Sequence, residues 1–317
     1  MAYTITDVGA LNVLTVLRGV SKEADTVQRQ VSSELRVETA ADNASSWASA
    51  TTLRSDENAL KTVGDALGLG AAKVDTAYTA ITSLIDVVSE IRKTVVSATD
   101  PANDRDKLSV TMEQYKSQLE SAVNSVNFSG ENWLLNRDAT APVQRSVIGG
   151  FVRGPNGEFY PQNITYPAGD TIMIDTNNAS RGLLTKSINA DPDAVPARNY
   201  YLLDVGSTTS AAGTEISIST SSTSQDLQDM LTVLDNILSS LNATAAGLGT
   251  MNSRIEDRQD FVATLSTSLK TSIGALVDTD MDEASVRLSA AQTARDMATE
   301  ALSVMNTSAS KVLILLE

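Results

Sequence analysis

The chain has 317 residues, no Cys, no His and a formal charge of −15. These absences exclude disulfides, thiolate or imidazole metal sites, His-based catalysis and ordinary hydrolase triads. The negative charge opposes nucleic acid and anionic membranes, which select clustered Lys and Arg, and leaves proteins as the expected partners.

Met-Ala-Tyr-Thr-Ile-Thr-Asp-Val-Gly-Ala at the start carries no positive n-region and no unbroken apolar h-region, so no Sec-type signal peptide is expected and export would need another route. No apolar run approaches transmembrane length, and the missing Cys suits an exported chain. All seven prolines, Pro101, Pro142, Pro155, Pro161, Pro167, Pro192 and Pro196, lie in one central stretch. Both long ends are therefore free to be helix.

In the first arm Val8, Leu11, Leu14, Leu17, Val20, Val27, Val31 and Leu35 recur at a spacing of about 3.5 residues, which predicts an amphipathic helix with a coiled-coil seam. A broad core-facing helix is the alternative, since Val13 and Val16 widen the stripe. A second helical block is predicted from about Asp42 to Thr99, its apolar face running from Leu60 through Leu67, Val74, Ile81, Leu84, Val88, Ile91 and Val95. Gly68-Leu69-Gly70 lacks the third glycine and the preceding strand of a dinucleotide loop, so these small residues are read as allowing close helix packing. A third helix is predicted from about Arg105 to Val126, with Leu108, Met112, Tyr115, Leu119 and Val123 on one side.

Between about Asn136 and Ser222 the character changes. Gly149-Gly150, Gly154-Pro155-Asn156-Gly157 and Pro167-Ala168-Gly169-Asp170 are turn signals between short β-type runs. Candidate strands are Val147 to Val152, Thr171 to Asp175, Tyr200 to Val205 and Glu215 to Ser219. Most of the aromatics, Phe128, Trp133, Phe151, Phe159, Tyr160, Tyr166, Tyr200 and Tyr201, lie in or beside this stretch, enough for a small separate core.

The last arm starts near Ser224 and carries Leu227, Met230, Leu234, Ile237, Leu241, Leu248, Met251, Ile255, Val262, Leu265, Leu269 and Leu276, again at a coiled-coil period. Asp278, Asp280, Asp282 and Glu283 open like a calcium loop, but Glu283 stands where that loop needs Gly and Ser289 where it needs Glu. Carboxylates at a helix N-terminus explain the cluster more simply. The final helix is predicted to bear Val286, Ala290, Thr293, Met297, Ala301 and Val304 on one face and to end in the apolar run Val312-Leu313-Ile314-Leu315-Leu316-Glu317, which needs a partner to cover it. The outermost segments hold too few large apolar side chains to offset the entropy of ordering them, so they are expected to stay labile until several chains meet. The fold class is mainly α with a small β-rich insert; the two arms pair as coiled coil and helical bundle, making discontinuous domains.

Several runs resemble the bacterial flagellins. Arg29 to Ala44, which contains Ser32, Ser33, Leu35, Arg36, Ala40, Asp42, Asn43 and Ala44, is similar to the family's N-terminal ERLSSGLRINSAKDDAA. Asn127-Phe128-Ser129-Gly130-Glu131-Asn132-Trp133-Leu134-Leu135 resembles FNGxxLL, Gly247 to Arg254 resembles LGAxQNR, and Val312 to Leu316 resembles the apolar LSLL ending. Glu34, Ala41 and Asn43 depart from Gly, Lys and Asp, and with the short middle they look like alphaproteobacterial flagellins of rhizobial or agrobacterial type.

The resemblance implies a filament subunit for swimming motility, located outside the cell in the flagellum. It implies export unfolded through the flagellar type III apparatus, a secretion chaperone holding the last forty or so residues, and polymerisation beneath a cap with hook-associated proteins at the base. It also implies three layers: 1–40 with 278–317 as the filament core, 41–136 with 224–277 as a helical layer around it, and 137–223 as a variable surface domain. Self-association, alone or with other flagellins, is the main partnership. The resemblance extends to host innate immune receptors, whose helix contact maps to Val88, Ser89, Glu90, Ile91 and Arg92; Glu90 reverses a charge there, and weak recognition is expected. The plant epitope maps to about Arg29 to Ala50, with departures at Ala41, Asn43 and Trp47. No cofactor, metal, nucleic acid or membrane is implied. The alternatives are a hook–filament junction protein and, from other classes, a binding module or an enzyme in the insert, where only a carboxylate pair such as Asp191 and Asp193 could act.

Overall fold

The computed structural model describes residues 8–155, 157–193 and 196–314, with side-chain surroundings defined for 9–307 among these. Long helices carry both arms: α1 Val8–Ser33, α2 Ala44–Ala98, α3 Arg105–Ser125, α4 Ser224–Val277 and α5 Met281–Ile314. Between α3 and α4 lie short strands: β1 Leu135–Asn136, β2 Gln144–Arg153, β3 Phe159–Pro167, β4 Ile174–Asp175, β5 Ile188–Asn189, β6 Asn199–Tyr201 and β7 Thr214–Glu215. The chain is thus mainly helical with a small strand-containing insert, as its periodicity predicts.

Each helix from α2 onward starts on a side chain that satisfies its free amides. Asn43 Oδ1 accepts from Ser46 N at 3.1 Å, and Asp104 Oδ1 accepts from Asp106 N and Lys107 N. At α4, Thr223 and Asp226 form a reciprocal box: Thr223 N donates to Asp226 Oδ2 at 2.8 Å and Asp226 N donates to Thr223 Oγ1 at 3.1 Å. Asp280 Oδ1 accepts from Asp282 N and Glu283 N, so the acidic cluster is a helix start. No group of His, Cys, Asp or Glu able to hold a metal occurs among the described residues.

Contacts divide the chain into two units, Met1–Ala59 with Leu265–Glu317, and Leu60–Thr264. In the second, α2 buries Leu60, Val63, Leu67, Val74, Ala77, Ile81, Leu84, Val88, Ile91, Val95 and Ala98, alternating three- and four-residue steps apart from one gap. The gap is Gly70. A Cβ there would overlap the side chain of Val147 in β2. α4 answers with Leu227, Met230, Leu234, Ile237, Leu241, Leu248, Met251 and Ile255 at the same rhythm, and α3 adds Met112, Leu119 and Val123. Arg92 of α2 pairs with Asp235 of α4, and a Cβ at Gly64 of α2 would lie 3.8 Å from Val262 of α4.

The insert belongs to the same unit as these helices. β2 and β3 pair antiparallel with an irregularity between Ile148 and Gly150, and the hairpin seats on the helices: Val147 over Gly70 of α2, Tyr166 over Gly247 of α4. Thr244 Oγ1 donates to Asp170 O at 2.9 Å, Arg105 Nη1 to Ser222 O at 2.7 Å, and the buried Lys116 on α3 to Glu215 Oε1 at 2.8 Å. β1 pairs with β4 in parallel, and β5–β6–β7 form a second small sheet. Aliphatics fill the interior, with Leu134, Ile172, Met173, Ile174, Leu184 and Leu202 fully enclosed. Of the aromatics expected there, Trp133 and Tyr200 are buried, whereas Phe159 and Tyr160 are exposed. Aromatics are thus a minor part of that interior, and the insert is grouped in one unit with the helices.

The strand expectations are partly met. Val147 to Val152 lies inside β2, but 171–175, 200–205 and 215–219 only overlap the two- and three-residue strands β4, β6 and β7. β3 is not among the candidate strands; it carries Pro161 and ends on Pro167, residues disfavoured within sheets. Both residues lie in a strand paired along one side only, where a missing amide is tolerated.

Candidate assembly surfaces

α1 and α5 pack against each other as an antiparallel pair. Their connection is pinned where the chain passes twice: Thr279 N donates to Glu34 O at 2.9 Å, Leu35 bridges Asp278, and Arg36 N and Val37 N both donate to Val277 O. α1 turns Ala24 and Val27 fully inward and half-buries Leu14, Leu17, Val20 and Val31. α5 buries Ala284, Ala291 and Ala298 at heptad steps and half-buries Leu288, Leu302 and Met305. Small seam residues let two helices approach closely but bury little area.

The α5 stripe singled out in the sequence lies on the other side. Val286 is 71%, Met297 64% and Val304 57% exposed, and Ala290, Thr293 and Ala301 share that face. On α1, Leu11 and Val16 are likewise more than half exposed. Met297 and Val304 therefore face away from α1 within the chain, because alanines occupy the α5 face turned to it. The side chains of Val8, Val312 and Leu313, together with Leu315 and Leu316, lie outside the described residues.

The signature run forms the turn between α1 and α2. Ser33 Oγ donates to Arg29 O and accepts from Leu35 N, closing the helix. Glu34 then adopts φ 60°, the left-handed region that favours glycine. Arg36 Nη2 donates to Leu276 O at 3.1 Å, and Val37 packs with Ala50 and Val277, flanked by Leu35, Ile273 and Leu276. Asp42 Oδ2 accepts from Glu38 N, Thr39 N and Thr39 Oγ1. These bonds, chiefly those from Thr39, hold the Asp42 carboxyl below its ordinary range. Asn43 caps α2 and Ala44 begins it, while Ser32 and Ala40 are exposed.

The two other motifs also have local causes. In Asn127 to Leu135, Ser129 at φ 55° and Gly130 at φ 83° make a tight turn, with Gly130 N donating to Asn127 Oδ1. Asn132 then binds Val123 O, Leu134 N and Leu135 N, tying the turn to the end of α3 and driving Trp133 and Leu134 inward. In Gly247 to Arg254, Gly247 admits Tyr166 while Leu248 and Met251 enter the α4 seam.

Residues 88–92 divide in two. Val88 and Ile91 are fully buried in α2, which removes them from any contact with a partner of the folded chain. Glu90 pairs with Lys93 at 2.6 Å, Arg92 with Asp235 at 2.5 Å, and Ser89 Oγ donates to Ile85 O. In the insert, Asp191 is engaged by Arg198 at 2.8 Å and accepts from Asp193 N.

Two family patterns match the helical arms. The bacterial flagellin N-terminal helical region matches residues 5–139, and the bacterial flagellin C-terminal helical region matches residues 231–316. Flagellin C of Rhizobium meliloti strain 1021 is 43% identical over 321 residues, covering 100% of both chains. Flagellin A of the same strain is 33% identical, covering 99% of this chain and 100% of its own, and a flagellin of Brucella melitensis is 32% identical with 99% of each covered. With both arms matched and the whole length shared with these relatives, the chain belongs to the bacterial flagellin family and is of rhizobial type.

Proposed function

We propose that this chain is a repeating subunit of an extracellular flagellar filament that drives swimming. Among the described residues, one observation carries the reading: an exposed apolar stripe, Val286, Met297 and Val304, faces away from the α1–α5 seam on a chain whose relatives are flagellins. A second copy of the chain is the partner that would cover it. The three-layer scheme follows: 1–40 with 278–317 would line the tube, 41–136 with 224–277 would surround it, and 137–223 would face solvent. Export through the type III apparatus, a secretion chaperone, a cap and hook-associated proteins complete the proposal.

The relatives reported above are named flagellins, and none supports the hook–filament junction alternative. The family is structural, and we assign the insert no catalytic role; Asp191, its best carboxylate, is held in an ion pair. For host receptors, the ion-paired Glu90 and Arg92 support weak recognition.

Purified monomer is to be mixed with short filament seeds and followed by electron microscopy. Long uniform tubes are expected from the wild type, and their loss from Val304→Asp with the monomer still folded. Persistent wild-type monomers would reject the reading.

A further inference from the structure

The chain has eight methionines and no cysteine, so thioether sulfur is its only oxidisable sulfur. Those methionines divide sharply. Met112, Met173, Met230 and Met251 are between 0% and 4% exposed, sealed within the Leu60–Thr264 unit. Met305 is half-buried in the α1–α5 seam. Met281, at the first position of α5, is 39% exposed, and Met297, midway along the outward stripe, is 64% exposed. Susceptibility to oxidation follows exposure, so among the described residues Met297 is the foremost target.

We propose that Met297 is a reversible oxidation site that controls whether the chain can add to a second copy of itself; this rests on the filament reading above. The reagent class is a hydroperoxide. A sulfur lone pair attacks the distal oxygen, an S–O bond forms as the O–O bond breaks, and the leaving alkoxide, or hydroxide from hydrogen peroxide, takes the proton of the transferred oxygen and departs as alcohol or water. Sulfur loses two electrons and the peroxide gains them. The product carries a strong S=O dipole where Val286 and Val304 present hydrocarbon. In the free chain that dipole stays hydrated, because the side chain faces solvent and the α1–α5 seam does not use it. In an assembled contact it would have to shed its water without a partner, which opposes association. Methionine sulfoxide reductases reverse the change.

The test uses the full-length chain. Monomer is treated with limiting hydrogen peroxide, sulfoxides are located by peptide mass spectrometry, and seeded elongation is expressed for each variant as the ratio of treated to untreated rate. Oxidation at Met297 is expected before any buried methionine, with the wild-type ratio falling by about tenfold, the factor set by 1.4 kcal/mol. Met297→Leu is expected to keep a ratio near unity, whereas Met281→Leu keeps the wild-type sensitivity. Assembled filaments are expected to protect Met297 from the same peroxide. A Met297 sulfoxide that leaves the rate unchanged, or a Met297→Leu chain as sensitive as the wild type, overturns the inference. An untreated wild type that fails to elongate overturns the filament reading itself, and the inference with it.

Discussion

The α2–α4 seam and the α1–α5 seam share one heptad rhythm and differ in what they put on it. The first is filled with Leu67, Ile81, Leu84, Ile91, Leu234 and Leu241, each fully buried. The second centres on Ala24, Ala284, Ala291 and Ala298, and leaves Leu11, Val16, Val286, Met297 and Val304 in water. Burial of a large aliphatic side chain contributes about 1.5–3 kcal/mol, and an alanine far less. The same periodicity thus encodes a core that closes within one chain and a pair that waits for more surface.

Hydrogen exchange on the free monomer gives the sharpest form of that contrast. Amides of α2 from Leu60 onward are expected to exchange at least about a thousandfold more slowly than those of α1 and α5, a gap of ~4 kcal/mol. Uniform protection across all of them would abolish the distinction. Substitution sharpens it further. Leu84→Ala is expected to lower monomer stability by about 2–5 kcal/mol in urea unfolding. Val304→Ala should change it by less than ~0.5 kcal/mol while slowing seeded elongation.

Much of this was legible in the sequence. The helices fall close to their predicted bounds because the signals at their ends are chemical: Asp104, Thr223 with Asp226, and Asp280 each offer an oxygen to free amides. What escaped was the distinction between apolar and buried. On α5 the larger residues Val286, Met297 and Val304 marked a face correctly as apolar, yet the face turned to α1 belongs to alanines, which a search for bulky side chains passes over. The insert misled in a related way. Its aromatics suggested an independent core, but its anchorage depends on two glycines, Gly70 and Gly247, far away in sequence on helices whose pattern gives no hint of a guest. Among the glycines of the supposed nucleotide-like fragment, only Gly70 is tightly packed.

Those glycines supply the next test. Gly70→Ala places a methyl where Val147 already sits and is expected to cost about 1–3 kcal/mol, read in the same urea titration. Gly68→Ala, where nothing lies within 4 Å, should be neutral or stabilising and serves as its control. A smaller effect than that of Gly70→Ala concerns the terminal pair. Glu34 occupies a left-handed conformation that costs a non-glycine residue about 1–2 kcal/mol, partly offset by the entropy glycine would lose on folding. Glu34→Gly is therefore expected to stabilise the turn by about 0.5–1 kcal/mol and to slow exchange at Thr279 N, which donates to the Glu34 carbonyl.

The prolines of β3 carry one more consequence. A two-stranded ribbon has an open border on each side, and where many copies crowd together such borders invite strands from neighbours to zip on. Pro161 and Pro167 remove two amide donors from β3, so its ladder of hydrogen-bonding groups is broken at both residues. A strand from another chain meeting that border would find there no continuous template for sheet growth.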